Sequence, residues 1–413
     1  MTKRSNVGVY RSALQRLGIF RTVGIACVGL VGAASALALA ISGVTRSANP
    51  ELALRFLPNE SSALASRAEQ LFAAEPLSPP AAVRTLALAS LKQQALNPKA
   101  LRILGSLAAI EGNEKRANRL IHLSEGQSRR DSGTQLWLIE TAVQHGDIKQ
   151  ALAHYNVVLG THPSTYVTLF PILVRAISSP DIRSAMAPYI KNDQNWAVQF
   201  LTHAIASSSD LPALVDLMLR SGGPRNFQAA KIQEQSLMQR LIAQKMFLEA
   251  RRLYLGSGGT RAARLTATTF HIPDTQDQAD SMEWQLHSDA DAGGGFIVGK
   301  SGHSALSIFA NPGALGTVAS KLLYLRPRTY AFAATLSQFE ADDGGQLRWQ
   351  LRCPTLSNDK AIWSASSDRR SVNATLSIPG DCPVQYLDVV ASGGLGAGGL
   401  SATVENVSLR PAR

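Results

Sequence analysis

Cysteine is scarce: 413 residues hold three, too few for a disulfide-framed scaffold or an array of zinc modules. Charge is sparse as well. Asp, Glu, Lys and Arg make up 17% of the chain, against roughly 25% in an average soluble domain. With 45% hydrophobic residues such a chain is not disordered, and its length points to two or three domains. Acidic residues are missing altogether from residues 1–50, which carry six basic ones. The net charge of +11 invites nucleic acid, but its distribution does not: residues 51–264 carry 24 basic and 16 acidic groups, and residues 265–413 carry 11 and 14. A surplus spread over a leader and a helical middle is not a basic groove that tracks a phosphate backbone, so nucleic acid is not an expected partner. Catalytic signatures are lacking too. There is no H-E-x-x-H, no nucleophile elbow and no Ser/His/Asp set, and His122, His145 and His154 lack metal-ligand spacing. The expectation is no enzyme, no cofactor and no metal.

What the N-terminus has is a membrane signal. Lys3, Arg4, Arg11, Arg16 and Arg21 precede 24 uncharged residues, Thr22 to Thr45, and about 20 suffice to span a bilayer as a helix. Ala36-Leu37-Ala38 and Ala38-Leu39-Ala40 resemble signal-peptidase sites, so a cleaved signal is the alternative. The long basic leader and the length of the uncharged run favour a retained anchor. Five positive charges hold the leader in the cytoplasm and send the remainder across. Residues 1–21 are thus a basic leader, 22–45 a transmembrane anchor and 46–60 a linker, with the bulk of the chain in the periplasm of a bacterial inner-membrane protein. Cys27 falls in the anchor. Cys353 and Cys382 are the two exported cysteines, and in an oxidising compartment they are expected to form a disulfide, with a free buried pair as the alternative.

Residues 61–256 read as amphipathic helices punctuated by Asn97-Pro98, Gly112-Asn113, Gly146-Asp147, His162-Pro163, Ser178-Ser179-Pro180 and Ser221-Gly222-Gly223-Pro224. A 34-residue period runs through them. Leu104, Ala108, Gly112, Ala117 and Ile121 recur as Leu138, Ala142, Gly146, Ala151 and Tyr155. A third copy uses Leu237, Leu241, Ala250 and Tyr254, with Lys245 where the glycine stood. The pattern resembles the tetratricopeptide repeat, in which small residues let paired helices pack closely and an aromatic fills the gap to the next pair. Residues 61–98 read as a degenerate first copy, and 164–225 are helical but off the pattern. The resemblance implies a non-enzymatic scaffold that holds a protein partner on stacked helices; a plain spacer is the alternative. The basic groups at Lys115, Arg116, Arg119, Arg129 and Arg130 suit an acidic partner or simply a solvated helix face.

Beyond a linker at 257–264 the periodicity changes. Short alternating runs separated by turn residues fill 265–413, predicting an antiparallel sandwich. The predicted strands begin with Leu265–Ile272 and Met282–His287 and end with Gln385–Ala391 and Ser401–Leu409. Three phrases, Leu322–Tyr330, Gln346–Leu351 and Leu400–Leu409, with Cys382-Pro383-Val384-Gln385-Tyr386-Leu387, resemble a carbohydrate-binding-module jelly roll of the galactose-binding-like kind. The fold class is therefore an all-α repeat array followed by an all-β sandwich, behind one transmembrane helix. The resemblance implies a sandwich able to touch polysaccharide.

Alternation on 346–352 puts Leu347, Trp349 and Leu351 toward the core and Arg348, Gln350 and Arg352 outward. The outward row suits sugar hydroxyls or carboxylates, or is an ordinary solvated sheet face. Trp363, which the alternation does not place on a core face, is a candidate stacking platform for a sugar ring or one more core residue. Gly294–Ser301 satisfies the letter of the phosphate-loop pattern, but its Phe-Ile-Val interior reads as a strand and no helix follows. Asp289, Asp291, Asp342 and Asp343 sit in glycine-rich turns that suit either calcium or ordinary turn chemistry. Together these residues predict an envelope protein that serves polysaccharide assembly or export, or else a protein scaffold capped by the sandwich.

Overall fold

A computed structural model describes residues 35–37, 39–256, 261–272, 280–356, 359, 361–367 and 370–412. The basic leader and most of the expected anchor lie outside the described residues. Among those described, no single helix is long and apolar enough to cross a membrane. The chain divides into two compact units, Met1–Tyr166 and Val167–Arg413.

The first unit contains α1 (Ser35–Thr45), α2 (Pro50–Phe56), α3 (Ser61–Ala74), α4 (Ala81–Gln93), α5 (Pro98–Ile110), α6 (Glu114–Gln127), α7 (Ser132–Gln144) and α8 (Ile148–Thr161). Residues 46–60 are not a bare linker. Asn49 caps α2 by accepting from the Leu52 N–H, Ala53 is buried, and Glu51 pairs with Arg67 of α3 at 2.5 Å.

Short polar side chains start the next helices. Asn97, Asn113, Asp131 and Asp147 accept from the N–H groups of Ala100, Arg116, Thr134 and Gln150, satisfying donors that a helix start leaves free. The α5–α6 and α7–α8 hairpins turn on one device. Gly112 and Gly146 take positive φ (75° and 71°), and the next N–H reaches back to a carbonyl five residues earlier: Asn113 to Ala108 at 2.8 Å and Asp147 to Ala142 at 2.9 Å. Leu104, Ala108, Ala117, Leu138, Ala142 and Ala151 are buried where these helices pack, as are Ile121 and Tyr155.

The second unit carries α9 (Tyr166–Ala176), α10 (Pro180–Lys191), α11 (Ala197–Ser207), α12 (Leu211–Ser221), α13 (Phe227–Ala243), α14 (Phe247–Gly256) and α15 (Arg261–Arg264). The α13–α14 turn repeats the same geometry without glycine. Lys245 has φ 56°, and Met246 donates to the Leu241 carbonyl at 2.8 Å. A further copy, absent from the sequence pattern, closes α10: Asp193 has φ 51° and Gln194 donates to Tyr189.

Among the described residues ten strands follow: β1 (Gln285–Leu286), β2 (Ala292–Val298), β3 (Ser304–Ala310), β4 (Leu315–Leu323), β5 (Thr329–Ala341), β6 (Gly345–Arg352), β7 (Ala361–Ser367), β8 (Ser371–Ser377), β9 (Gln385–Gly393) and β10 (Leu400–Pro411). They form two five-stranded antiparallel sheets, ordered β1-β4-β9-β6-β7 and β2-β3-β10-β5-β8. The inner faces meet through Leu347, Trp349, Leu351, Leu387 and Val389 from one sheet and Leu306, Ile308, Phe332, Ala334 and Val404 from the other.

The expected strand at Leu265–Ile272 does not form. Leu265, Thr268 and Phe270 are buried, but the segment serves as an extended strap. Thr268 Oγ1 donates to the Val407 carbonyl at 2.6 Å, and its own carbonyl accepts from Trp284 Nε1 at 3.1 Å. Cys353 and Cys382 form the expected disulfide, with 5.8 Å between their Cα atoms. The phosphate-loop-like phrase is strand β2 and a turn: the Lys300 N–H and Ser301 hydroxyl donate to the Glu405 carboxylate.

Residues 257–264 are likewise no free linker where described. Arg261 pairs with Glu234 and lies over the Tyr254 ring, 5.1 Å from its centroid. Tyr254 in turn donates its hydroxyl to Asp280 at 3.1 Å.

Candidate functional site

β6 lies between β9 and β7, so its outward side chains sit at the middle of a sheet face. Strand alternation sorts them. Leu347, Trp349 and Leu351 are 0% exposed, and Trp349 packs on Phe332 of the opposite sheet with ring centroids 5.3 Å apart. Arg348, Gln350 and Arg352 point the other way and are half-buried. Register sets their neighbours. Arg348 lies between Val390 and Ser366, Gln350 between Asp388 and Ser364, and Arg352 between Tyr386 and Ala361.

The three residues of this row differ. Arg352 is committed: its guanidinium donates to Asp388 and Asp359 and stacks over Tyr386, 5.2 Å from the ring centroid. Asp388 is only 1% exposed and also accepts from the Ser320 hydroxyl at 2.7 Å. Hydrogen bonds from the Arg352 guanidinium to Asp388 hold the arginine pKa above its ordinary value despite burial. A buried carboxylate needs such a partner, so Arg352 maintains the sheet and is not free to receive a ligand. Its partners Tyr386 and Asp388 escaped the sequence reading, although the predicted strand 385–391 already places both on one face.

Arg348 and Gln350 are different. Among the described residues Arg348 has no carboxylate partner, and Gln350 is a neutral amide. Around them lie Ser364, an exposed hydroxyl, and Ser366, which donates to Gln346 at 3.1 Å. The result is a flat patch with a guanidinium fork, an amide and two hydroxyls, suited to hydrogen-bonding the edges of a polyol or a carboxylate. At the Tyr386 end the face is covered by α14, where Phe247 meets Tyr386 edge-on at 6.3 Å.

Trp363 is not part of this patch. It pairs with Leu351, points inward and packs on Phe332 with centroids 5.0 Å apart. Regular pairing from Leu347–Ser367 to Leu351–Trp363 puts Trp363 on the inner side of β7 with Ala365 and Ser367, so of the two expectations the structure favours the core residue over the sugar platform.

The acidic turns are held by their own backbone. Asp289 accepts from the N–H groups of Asp291 and Ala292, which lowers its carboxyl pKa, and Asp342 accepts from Gly398. Among the described residues no three His, Cys, Asp or Glu side chains group to hold a metal. The repeat positions Leu104, Ala108, Ala117, Leu138, Ala142, Ala151, Tyr155, Ala250 and Tyr254 are buried in helix packing, which leaves any ligand of the helices to other side chains.

No protein-family model and no curated protein matches the chain. Solved structures do match about a third of it. A CBM4 module is 15% identical, with 36% of this chain and 99% of that one covered and a TM-score of 0.25. A CBM61 module solved with β-1,4-galactotriose is 12% identical over 31% of this chain and 88% of that one, with a TM-score of 0.23. The CBM22-1 xylan-binding domain of a Paenibacillus barcinonensis protein is 9% identical over 32% and 86%, with a TM-score of 0.23.

Proposed function

We propose that the protein is a non-enzymatic, single-pass envelope protein of the bacterial inner membrane, with its bulk in the periplasm. In this reading it assists the assembly or export of a polysaccharide. The helical hairpins are tetratricopeptide-type repeats that dock an envelope protein, and the sandwich holds glycan on the outward face of β6. The observation that carries the reading is the patch of Arg348, Gln350, Ser364 and Ser366. It presents charged and neutral hydrogen-bonding groups at the centre of a sheet, beside an arginine already neutralised by Asp388. The uncharged run from Thr22 to Thr45 behind five basic residues supports the topology.

Affinity electrophoresis of the full-length protein through gels containing envelope polysaccharides tests the glycan arm; retardation by at least one polymer is expected, and none in any gel contradicts it. Protease added to spheroplasts tests the topology. Everything beyond Arg46 is expected to be degraded while the leader survives, whereas a mature N-terminus near residue 39 or 41 makes the protein secreted.

A second reading has its own observation. The sandwich is joined to α14 through Phe247, Arg251 and Tyr254, which is what a structural cap on a helical array requires. In that case the helices alone carry the partner.

A further inference from the structure

Arg220 on α12 donates from Nε to Asp216 at 2.7 Å and reaches with Nη1 to the Ser184 hydroxyl of α10 at 3.3 Å. That reach walls a cleft of about 430 Å³, completed by Ala187, Pro188, Lys191 and Asn192. Helical spacing makes the floor: positions 184, 187, 188 and 191 fall on one face of α10. The volume suits a small ligand or one or two units of a larger one.

The charge around this cleft is unbalanced. Asp216 is shared by Arg183 at 2.7 Å, Arg220 at 2.7 Å and Arg252 at 3.3 Å. Arg183 is further occupied by the carbonyls of Ile177 and Ser178, and Arg252 meets Glu249 at 3.5 Å. Arg220 therefore keeps much of its charge at the cleft wall. Lys191 adds a second cation at the C-terminal end of α10. Arg225 adds a third, donating to Asn192 at 3.1 Å. Among the described residues, no carboxylate pairs with Lys191 or Arg225.

The neutral lining narrows the ligand. It offers one hydroxyl and one amide, with Ala187, Pro188 and the aliphatic stems of Lys191 and Arg220 as its apolar part. The cleft is open and gives no enclosed apolar seat for the aromatic or aliphatic anchor on which peptide docking depends. Cationic forks beside hydroxyl and amide groups match a ligand whose carboxylate is surrounded by hydroxyls. We infer that this cleft binds a uronate, free or within an acidic polysaccharide, its carboxylate held by Arg220 and Lys191 and its hydroxyls by Ser184 and Asn192. The site lies on helices and is independent of the β6 patch.

Calorimetric titration of the full-length protein at low salt tests this with galacturonate, trigalacturonate, a neutral galactose trisaccharide and polyglutamate. The uronates are expected to bind and the neutral sugar and polyglutamate not to. Binding of the trimer alone identifies the polymer as the source; equal binding of the monomer identifies the free sugar. Lys191→Glu with Arg225→Glu is expected to weaken uronate binding at least tenfold, and Lys191→Ala severalfold, both measured in an Arg348→Ala background that takes out the β6 patch. Both cleft variants alter exposed residues, and an unchanged melting curve shows that they fold. Absence of uronate binding, indifference to both cleft variants, or polyglutamate binding as tightly as trigalacturonate each overturns the inference.

Discussion

The Tyr324 phenol, at the end of β4, donates to the main-chain carbonyl of Phe247 on α14 at 2.8 Å. Arg251, one turn along that helix, lies over the Tyr324 ring at 5.9 Å. Nearby, Lys321 is fully buried and pairs with Glu283 at 2.9 Å while donating to the Met282 carbonyl. Burial holds the Tyr324 hydroxyl protonated, well above its ordinary pKa. The sandwich and the last helical hairpin are therefore one packed body. Tyr324→Phe leaves the Phe247 carbonyl without this donor and is expected to cost about 1 kcal/mol. Amide hydrogen exchange in that variant should speed in both α14 and β4; a change confined to β4 would mean that the two do not open together.

Lys245 occupies the left-handed position that glycine holds at Gly112 and Gly146. A side chain there is strained by roughly 1–2 kcal/mol, offset in part by the greater freedom of glycine in the unfolded chain. Lys245→Gly is thus expected to stabilise the α13–α14 hairpin by about 1 kcal/mol, read from the denaturant midpoint. Gly146→Lys should move the α7–α8 hairpin the other way.

Arg352 and Arg348 are four residues apart on one strand face, yet their removal should have different consequences. Arg352→Ala deprives the 1%-exposed Asp388 of its counter-charge and is expected to cost on the order of 3 kcal/mol. Arg348→Ala should stay within about 0.5 kcal/mol. Chemical denaturation of the two variants measures the split; equal losses would show that Asp388 does not depend on Arg352.

His154 bonds the side chain of Gln135 at 2.8 Å within the first unit. Burial lowers its pKa despite the Glu125 carboxylate nearby, with Arg129 and His122 acting in the same direction as burial. A base whose folded pKa is depressed binds protons more readily when unfolded. Its neutral form therefore contributes stability that is present above the unfolded value of about 6.5 and is lost as pH falls below it. Exchange protection in α7 and α8 should drop between pH 7.5 and 5.5, and His154→Gln should flatten that dependence.

Much of this architecture was legible because it rests on local chemistry. The 34-residue period marks Gly112 and Gly146, and the structure shows why: each supplies a positive φ that closes a hairpin. The same geometry at Asp193 was invisible, since an aspartate in that conformation carries no pattern of its own. Alternation on 346–352 separates Trp349 from Arg348. It leaves Trp363 unplaced, because the side of that residue follows from its pairing with Leu351, and it fails at Leu265–Ile272, where the buried Leu265, Thr268 and Phe270 belong to a strap held by Thr268 and not to a paired strand. The partners of Arg352 depend on β9 lying beside β6, a long-range pairing that strand periodicity does not specify. The division at Tyr166 was equally hidden, because helical periodicity continues across it while Tyr324 and Asp280 draw α14 to the sandwich.

The central claim is that the outward face of β6 holds glycan. The most direct measurement is affinity electrophoresis of the full-length protein and its Arg348→Ala/Gln350→Ala variant in the polysaccharide gel that retards the parent most. We expect the variant to lose at least tenfold in affinity with a nearly unchanged melting temperature, because the two half-buried side chains removed lie on the outer face and the Trp349 core is untouched. Retardation equal to the parent's, in a folded variant, would contradict the account and leave the sandwich as a cap on the helices.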